Sequence, residues 1–336
     1  MHRVREQIIS ILRGGEKSFW EILASQDYSI KEVVEEIKKL IEEEVIVVNS
    51  RNKKIYLKEN QDGEEKENYT CPKCEGKGKL LKGDYGKALE EFLKVTSSRP
   101  YPIPEFDQGI IAPCDLAHKA LFMEERGDLV DKKILILGDD DLFSIYLGLL
   151  GKAKEVVVLE IDERIVEFIK KISQERGMGI KTVTFNLANP LPESLKEKFH
   201  VFVSEPPESL AGLKEFIKRG AEGIREGGSG YVGLSTLESS LVKWREIEKF
   251  ILDKNLVITD VLRNFSHYPE KDADWEKFYS HFRLFQELPF DPGPLDQDWY
   301  TSSLLRLLKV KERKIKLSQD LYMDEETWAT PSHFSA

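Results

Sequence analysis

The stretch Lys132 to Ser144, Lys-Lys-Ile-Leu-Ile-Leu-Gly-Asp-Asp-Asp-Leu-Phe-Ser, limits the possible folds more than any other part of the chain. Ile134 to Leu137 is an unbroken apolar run, the mark of a strand buried on both faces. It ends at Gly138, and three aspartates, Asp139, Asp140 and Asp141, follow at once. Leu142 to Leu150 then reads as a helix. About twenty residues past the glycine a second apolar run, Val156 to Leu159, ends in Glu160-Ile161-Asp162. Strand, glycine turn, helix, then strand ending in acid is the nucleotide-binding βαβ pattern, whose ligand lies at the carboxyl ends of the strands. The usual turn carries further glycines so that backbone can approach the ligand. Here carboxylates stand in their place.

That exchange bears on the ligand. S-adenosylmethionine carries a sulfonium, an ammonium and a carboxylate, and its carboxylate would lie along this turn, where aspartates repel it. The decarboxylated form presents only cations, which carboxylates attract, and more strongly where water is excluded. The turn therefore reads as selecting a cationic aminopropyl donor, a polyamine acceptor, or both, with Gly138 beside the donor. The plainer alternatives are a solvated acidic turn or a Mg²⁺ site.

Further strands are expected near 133–138, 155–160, 181–185, 199–204, 230–235, 256–263 and 303–311, with helices at 87–95, 116–125, 163–176 and 209–225 among them. Repeated crossovers imply a parallel sheet, and the last two strands suit an antiparallel edge. This is an α/β fold, a Rossmann-like sheet on the class I methyltransferase plan. Glu160 ends the second strand, where an acid accepts both ribose hydroxyls. Asp162 follows as a second donor-side acid or as a helix N-cap. Asn186 ends the third strand, as a partner for an adenine edge or as a turn former. The fourth ends in Glu205-Pro206-Pro207-Glu208-Ser209, like the Asp/Asn-Pro-Pro loop of amino-group methyltransferases. There an acid and the following carbonyl orient the target amine while prolines stiffen the loop.

Residues 1–57 read as a small unit of three helices and two short strands, a winged-helix-like domain. Its third helix carries Glu32, Glu35, Glu36, Glu42 and Glu43 against Lys31, Lys38 and Lys39, too acidic to read a DNA groove. Dimerisation or covering of the substrate site suits it better. The polar residues 58–70 open a linker, taken to extend over 58–86, which carries Cys71-Pro72-Lys73-Cys74. Cys71 and Cys74 supply two of the four ligands zinc needs; Cys114 and His118 are the nearby candidates for the others. The segment from Arg99 to Gln108 either covers the mouth of the catalytic domain, 87–315, or straps the domains together. The tail, 316–336, is acidic and aromatic, and either closes over a polycation or is solvated. A net charge of −10 disfavours nucleic acid and suits a polycation. Three cysteines, no spanning apolar run and no apolar leader fit the cytoplasm. A charged fraction of 33%, rich in Glu and Lys, is common in heat-adapted proteins.

With Gly138-Asp139-Asp140-Asp141 and Glu205-Pro206-Pro207-Glu208-Ser209 placed, the chain resembles the branched-chain polyamine synthases, the N4-bis(aminopropyl)spermidine synthases. The resemblance extends to the Cys-Pro-x-Cys-x-Gly-x-Gly segment, the Asp107-Gln108 pair and the turn Asn189-Pro190-Leu191-Pro192. Two departures stand out: Asn186 and Glu205 each replace an expected Asp. The resemblance implies aminopropyl transfer from decarboxylated S-adenosylmethionine, a co-substrate rather than a prosthetic group, to the secondary amine of spermidine. N4-aminopropylspermidine and then N4-bis(aminopropyl)spermidine would form, with methylthioadenosine released; the partners implied are spermidine and related polyamines and, as a homodimer, a second copy of the chain. On this reading Asp141 lies nearest the reacting nitrogen and Glu205 orients it. Asp139, Asp140, Asp107, Gln108, Pro206 and Glu208 bind substrate, while Gly138, Glu160, Asp162 and Asn186 hold the donor. An ordinary Asp, with a pKa of about 4, is a poor base, but crowded buried carboxylates raise one another's pKa. An N-methyltransferase using intact S-adenosylmethionine and a polyamine-sensing DNA-binding regulator are the rival readings.

Overall fold

The computed structural model describes residues 2–59, 70–72, 74, 76–269, 283–313 and 326. Apolar residues at helical spacing build the first unit from α1 (His2–Leu12), α2 (Phe19–Ala24) and α3 (Ile30–Glu42). Ser18 and the expected cap Ser29 each open a helix with a capping box, closed by Glu21 and Glu32. β1 (Ile46–Val48) and β2 (Ile55–Leu57) follow as an antiparallel hairpin, Ile46 opposite Leu57. The unit does not finish its own core. Leu237 and Trp299, far along the chain, are buried in it, and Trp299 lies 5.5 Å from Trp20 and 5.9 Å from Phe285, ring centre to ring centre. Trp299→Ala should therefore cost ~3–5 kcal/mol. It should also loosen Tyr300, whose ring lies 5.6 Å from that of Trp299, and the loss should be seen as a lower melting temperature.

The remainder is one sheet with helices on both faces. α4 (Asp84–Val95) and α5 (Pro113–Glu125) lead into β3 (Lys133–Leu137), α6 (Phe143–Leu150), β4 (Glu155–Glu160) and α7 (Glu163–Arg176). Then come β5 (Lys181–Thr184), β6 (Phe199–Ser204), α8 (Leu210–Gly223), β7 (Ile224–Leu234), α9 (Leu241–Asp253), β8 (Leu256–His267) and β9 (Thr301–Lys309). The strand order is β5-β4-β3-β6-β7-β9-β8, with β9 antiparallel to both its neighbours and the pairs from β5 through β7 parallel. Chain direction across the sheet reverses between β3 and β6, which opens a crevice above their carboxyl ends. Alternate residues explain the unbroken apolar runs. Ile134 and Ile136 enter the core on one face, Leu135 and Leu137 the core on the other.

Two strand ends differ from expectation. α8 passes directly into β7, which begins at Ile224 rather than 230. The Gly227-Gly228 stretch lies within the strand, where the register against β6 shifts between Phe199 and Val201. β8 runs four residues past its expected end at 263, to His267. Residues 60–69, 73 and 75 of the expected linker, and the expected tail apart from Glu326, lie outside the described residues. Among the described residues no helix is long and apolar enough to cross a membrane.

Candidate active site

Carboxyl ends of β3, β4, β6 and β7 converge on the crevice, and the β3 turn sets its chemistry. Gly138 leaves the strand with φ of 71° and Leu142 enters α6 with φ of 62°, so three aspartates are packed into a tight turn. They separate into different roles. Asp139 accepts the Ser144 N–H at 3.3 and 3.2 Å on its two oxygens and so caps α6. It lines neither cavity described below; the free Ser144 amide in the first turn of α6 engages both its oxygens. Burial pushes its pKa up to about 8. Asp140 Oδ2 accepts the Gly109 N–H at 3.0 Å, and its carbonyl accepts from Arg99. Asp141 Oδ1 accepts the Ile111 N–H at 2.7 Å. The segment from Arg99 to Ile111 is thereby stitched along the turn.

Two cavities meet here. The first is acidic, walled by Asp107, Asp140, Asp141, Glu205, Glu208 and Glu238, with Pro206, Tyr268 and Tyr300. The second is largely apolar, between Phe106, Leu159, Ile161, Phe185, Leu187 and Phe216, and it includes Gly138, Glu160 and Asn186. Asp107, Gln108, Asp140 and Glu205 line both. Burial raises Asp140 well above the usual carboxylate range, and ionised Asp141 adds to it. Burial likewise raises Asp141, to about 6, against the opposing pull of Lys119. Burial takes Glu208 to about 8, although it accepts from Ser235 N–H at 2.8 Å and Ser239 Oγ at 2.5 Å.

One expected donor residue, Asp162, turns away from both cavities. Gln108 Nε2 donates to Asp162 Oδ2 at 2.9 Å, and Arg164 binds the same carboxylate at 2.5 Å. Asp162 caps α7 and lines neither cavity. Of the two roles the sequence offers it, the structure shows the N-cap: the Arg164 amide at the α7 start and the Arg164 guanidinium hold it. Through Gln108 it fixes the segment that carries Asp107. Glu160 does face the apolar cavity, while its oxygens accept the Asp139 and Asp162 N–H groups at 2.7 and 2.8 Å. Asn186 reaches that cavity too, and its Oδ1 accepts the Ala188 N–H at 2.9 Å, as a turn former does.

Sequence reasoning missed Lys119, Gly233, Arg99, Glu238, Tyr268 and Tyr300. Lys119 Nζ binds Glu205 Oε1, and the lysine is 1% exposed. A signal existed: Leu116, Lys119, Ala120 and Met123 share one helical stripe, and a lysine on an apolar stripe demands a buried partner. Gly233 carried none. A Cβ there would lie 1.6 Å from Glu205 Oε2, a clash visible only once β7 passes under the β6 loop.

Among the described residues no group of three or more His, Cys, Asp and Glu is placed to hold a metal ion. No such group includes Cys71 and Cys74 among the described residues. His118 Nδ1 faces the Cys114 carbonyl at 2.8 Å instead of a shared centre. The segment is tied down by Lys77, buried with its Nζ 3.0 Å from Asp115 Oδ1.

Residues 87–329 match the model of the family described as the branched-chain polyamine synthase A C-terminal domain. The N(4)-bis(aminopropyl)spermidine synthase of Methanocaldococcus jannaschii is 36% identical over 326 residues, covering 93% of this chain and 91% of the relative. The Thermus thermophilus enzyme of that name is 36% identical over 262 residues, 77% of this chain and 75% of the relative. The crystal structure of the branched-chain polyamine synthase from Thermus thermophilus, in complex with N4-aminopropylspermidine and 5'-methylthioadenosine, superposes with a TM-score of 0.83. It is 31% identical, covering 95% of this chain and 91% of that one. By sequence and by fold, the chain belongs to the branched-chain polyamine synthase family.

Proposed function

We propose that the protein transfers an aminopropyl group from decarboxylated S-adenosylmethionine to the secondary amine of spermidine. N4-aminopropylspermidine forms first, then N4-bis(aminopropyl)spermidine, with methylthioadenosine released. One observation carries the reading: an apolar cavity sized for a nucleoside and an acidic one suited to a polycation share Asp107, Gln108, Asp140 and Glu205 as a common wall. The methylthioadenosine part occupies the apolar side, its ribose hydroxyls donating to Glu160. The propyl chain points through the shared wall.

Transfer forms a C–N bond as the C–S bond breaks, so the sulfonium charge leaves as neutral thioether. The attacking nitrogen must be unprotonated; in the first transfer it sheds its remaining proton and becomes a tertiary amine, whereas in the second that tertiary amine becomes a quaternary ammonium with no proton to shed. Asp141 is the acceptor of the proton shed in the first transfer and Glu205 the orienting group, while Glu208, Glu238 and Asp107 hold the outer ammonium groups. A base with a pKa of about 6 is ionised at neutral pH yet far stronger than an ordinary aspartate. The sign of the pH dependence follows. The ionised form is the active one, so kcat/KM rises as pH climbs through about 6 and falls away below it. A flat profile between pH 5 and 7 would refute the role of Asp141.

Mass spectrometry after incubation with decarboxylated donor and spermidine tests the whole reading. Masses of one and then two added aminopropyl groups support it; a methylated product from intact S-adenosylmethionine overturns it. The acidic wall disfavours that methyltransferase reading, because the intact donor brings a carboxylate into a site already crowded with them. The same proposal takes residues 1–57 as a winged-helix-like unit and 87–315 as the catalytic domain. It also takes the assembly as a homodimer, which sedimentation of the intact chain tests.

A further inference from the structure

A fully buried lysine stands at the reacting end of the acidic cavity, and the reaction as written above does not use it. Lys119 projects from the apolar stripe of α5, with its Nζ bound to Glu205 Oε1 and 5.4 Å from the centre of the Phe143 ring. A buried lysine without partners loses its proton. Here burial is outweighed by Glu205 and Asp141, which hold its pKa above the ordinary lysine range. The charge is therefore permanent, and it sits where a polycation is to bind. That is a cost in affinity, since like charges repel.

Resting on the aminopropyl-transfer reading, we propose that Lys119 is a positioning residue: it pins the Glu205 carboxylate against Gly233 and sets a fixed positive charge beside the nitrogen that reacts. Glu205 is gripped from both sides. Lys119 holds Oε1, and Oε2 lies over Gly233 with no room for a Cβ between. The carboxylate can neither swing toward an outer ammonium group nor retreat from the cavity. The fixed charge also sorts the nitrogens of the substrate. Outer ammonium groups are drawn to acids without a resident cation, and the nitrogen beside Lys119 is the one that most readily enters unprotonated. The charged and titratable groups facing Asp141 are Lys119 from α5, Glu205 beyond β6, Arg99 from the overlying segment, Tyr268 beyond β8, and Asp139 and Asp140 of its own turn. Of these, Lys119 and Arg99 favour the ionised carboxylate. Removing Lys119 leaves Asp141 harder to ionise.

Lys119→Met keeps the length and removes the charge. The intact protein is expected to bind methylthioadenosine as before, because that cavity does not include Lys119. Its kcat for spermidine should fall about a hundredfold at pH 7. The acid limb of kcat/KM should move up by about one pH unit, so that part of the loss returns at higher pH. Lys119→Arg, which keeps the charge, should hold the limb at its original position whatever its kcat. An unshifted limb in Lys119→Met that still binds methylthioadenosine overturns the proposal. If Lys119→Met does not bind methylthioadenosine, Lys119→Arg decides: a limb displaced by a unit overturns the proposal, and an unmoved one supports it. Failure of the unaltered protein to add aminopropyl groups counts against the transfer reading instead.

Discussion

Asp141→Asn should lose aminopropyl transfer by a factor on the order of 10³ while binding methylthioadenosine with unchanged affinity. The substitution is a clean probe. Asn keeps an oxygen where Asp141 Oδ1 accepts the Ile111 N–H, so the overlying segment stays in register and only the basicity is removed. The methylthioadenosine cavity does not include Asp141, so binding there reports on integrity while turnover reports on the proton. Initial rates by product mass, paired with calorimetric titration of methylthioadenosine, make the measurement. Turnover within tenfold of the original would move the base elsewhere, with Glu205 the next candidate.

Gly233→Ala should cost roughly a hundredfold in kcat through a single methyl group. The position is an ordinary strand residue paired with Leu304, so alanine suits its backbone. The difficulty is the 1.6 Å between the added carbon and Glu205 Oε2. Glu205 must leave its place, and Lys119 is left with a displaced partner. Because the methyl acts through Glu205, it should add little to Glu205→Gln, so the double variant should fall well short of the product of the single losses. Independent losses would mean that Gly233 affects the site by another route.

How much of this could be read from the sequence depends on the range over which each signal acts. Local signals were faithful. The apolar runs of β3, β4 and β6 sit between two cores and show it in every residue. Ser29 caps α3 because its partner Glu32 is three residues away. The aspartate turn was also readable as the centre of the site, but not the division within it. Asp139 was counted with its neighbours, yet the start of α6 takes both its oxygens. Asp162 could be read either way, as a donor-side acid or as a cap, and in the structure it caps α7 and holds Gln108. Helix ends compete with ligands for carboxylates, and a one-dimensional pattern does not say which wins. Lys119 lay within reach, as a cation on an apolar stripe. Gly233, Tyr268 and Tyr300 did not, because their importance comes from strands that meet only when the sheet is assembled. The early start of β7 was hidden for a related reason: pairing with β6 carries the strand through Gly227-Gly228, a sequence that favours a turn.

The burial of Trp299 among the first three helices has a temporal consequence. During synthesis the first three helices are made well before the tryptophan that fills their centre. Until it arrives, Trp20 lacks the ring it packs against. The unit can therefore complete its core only after the chain has passed through the sheet as far as the residues that lead into β9.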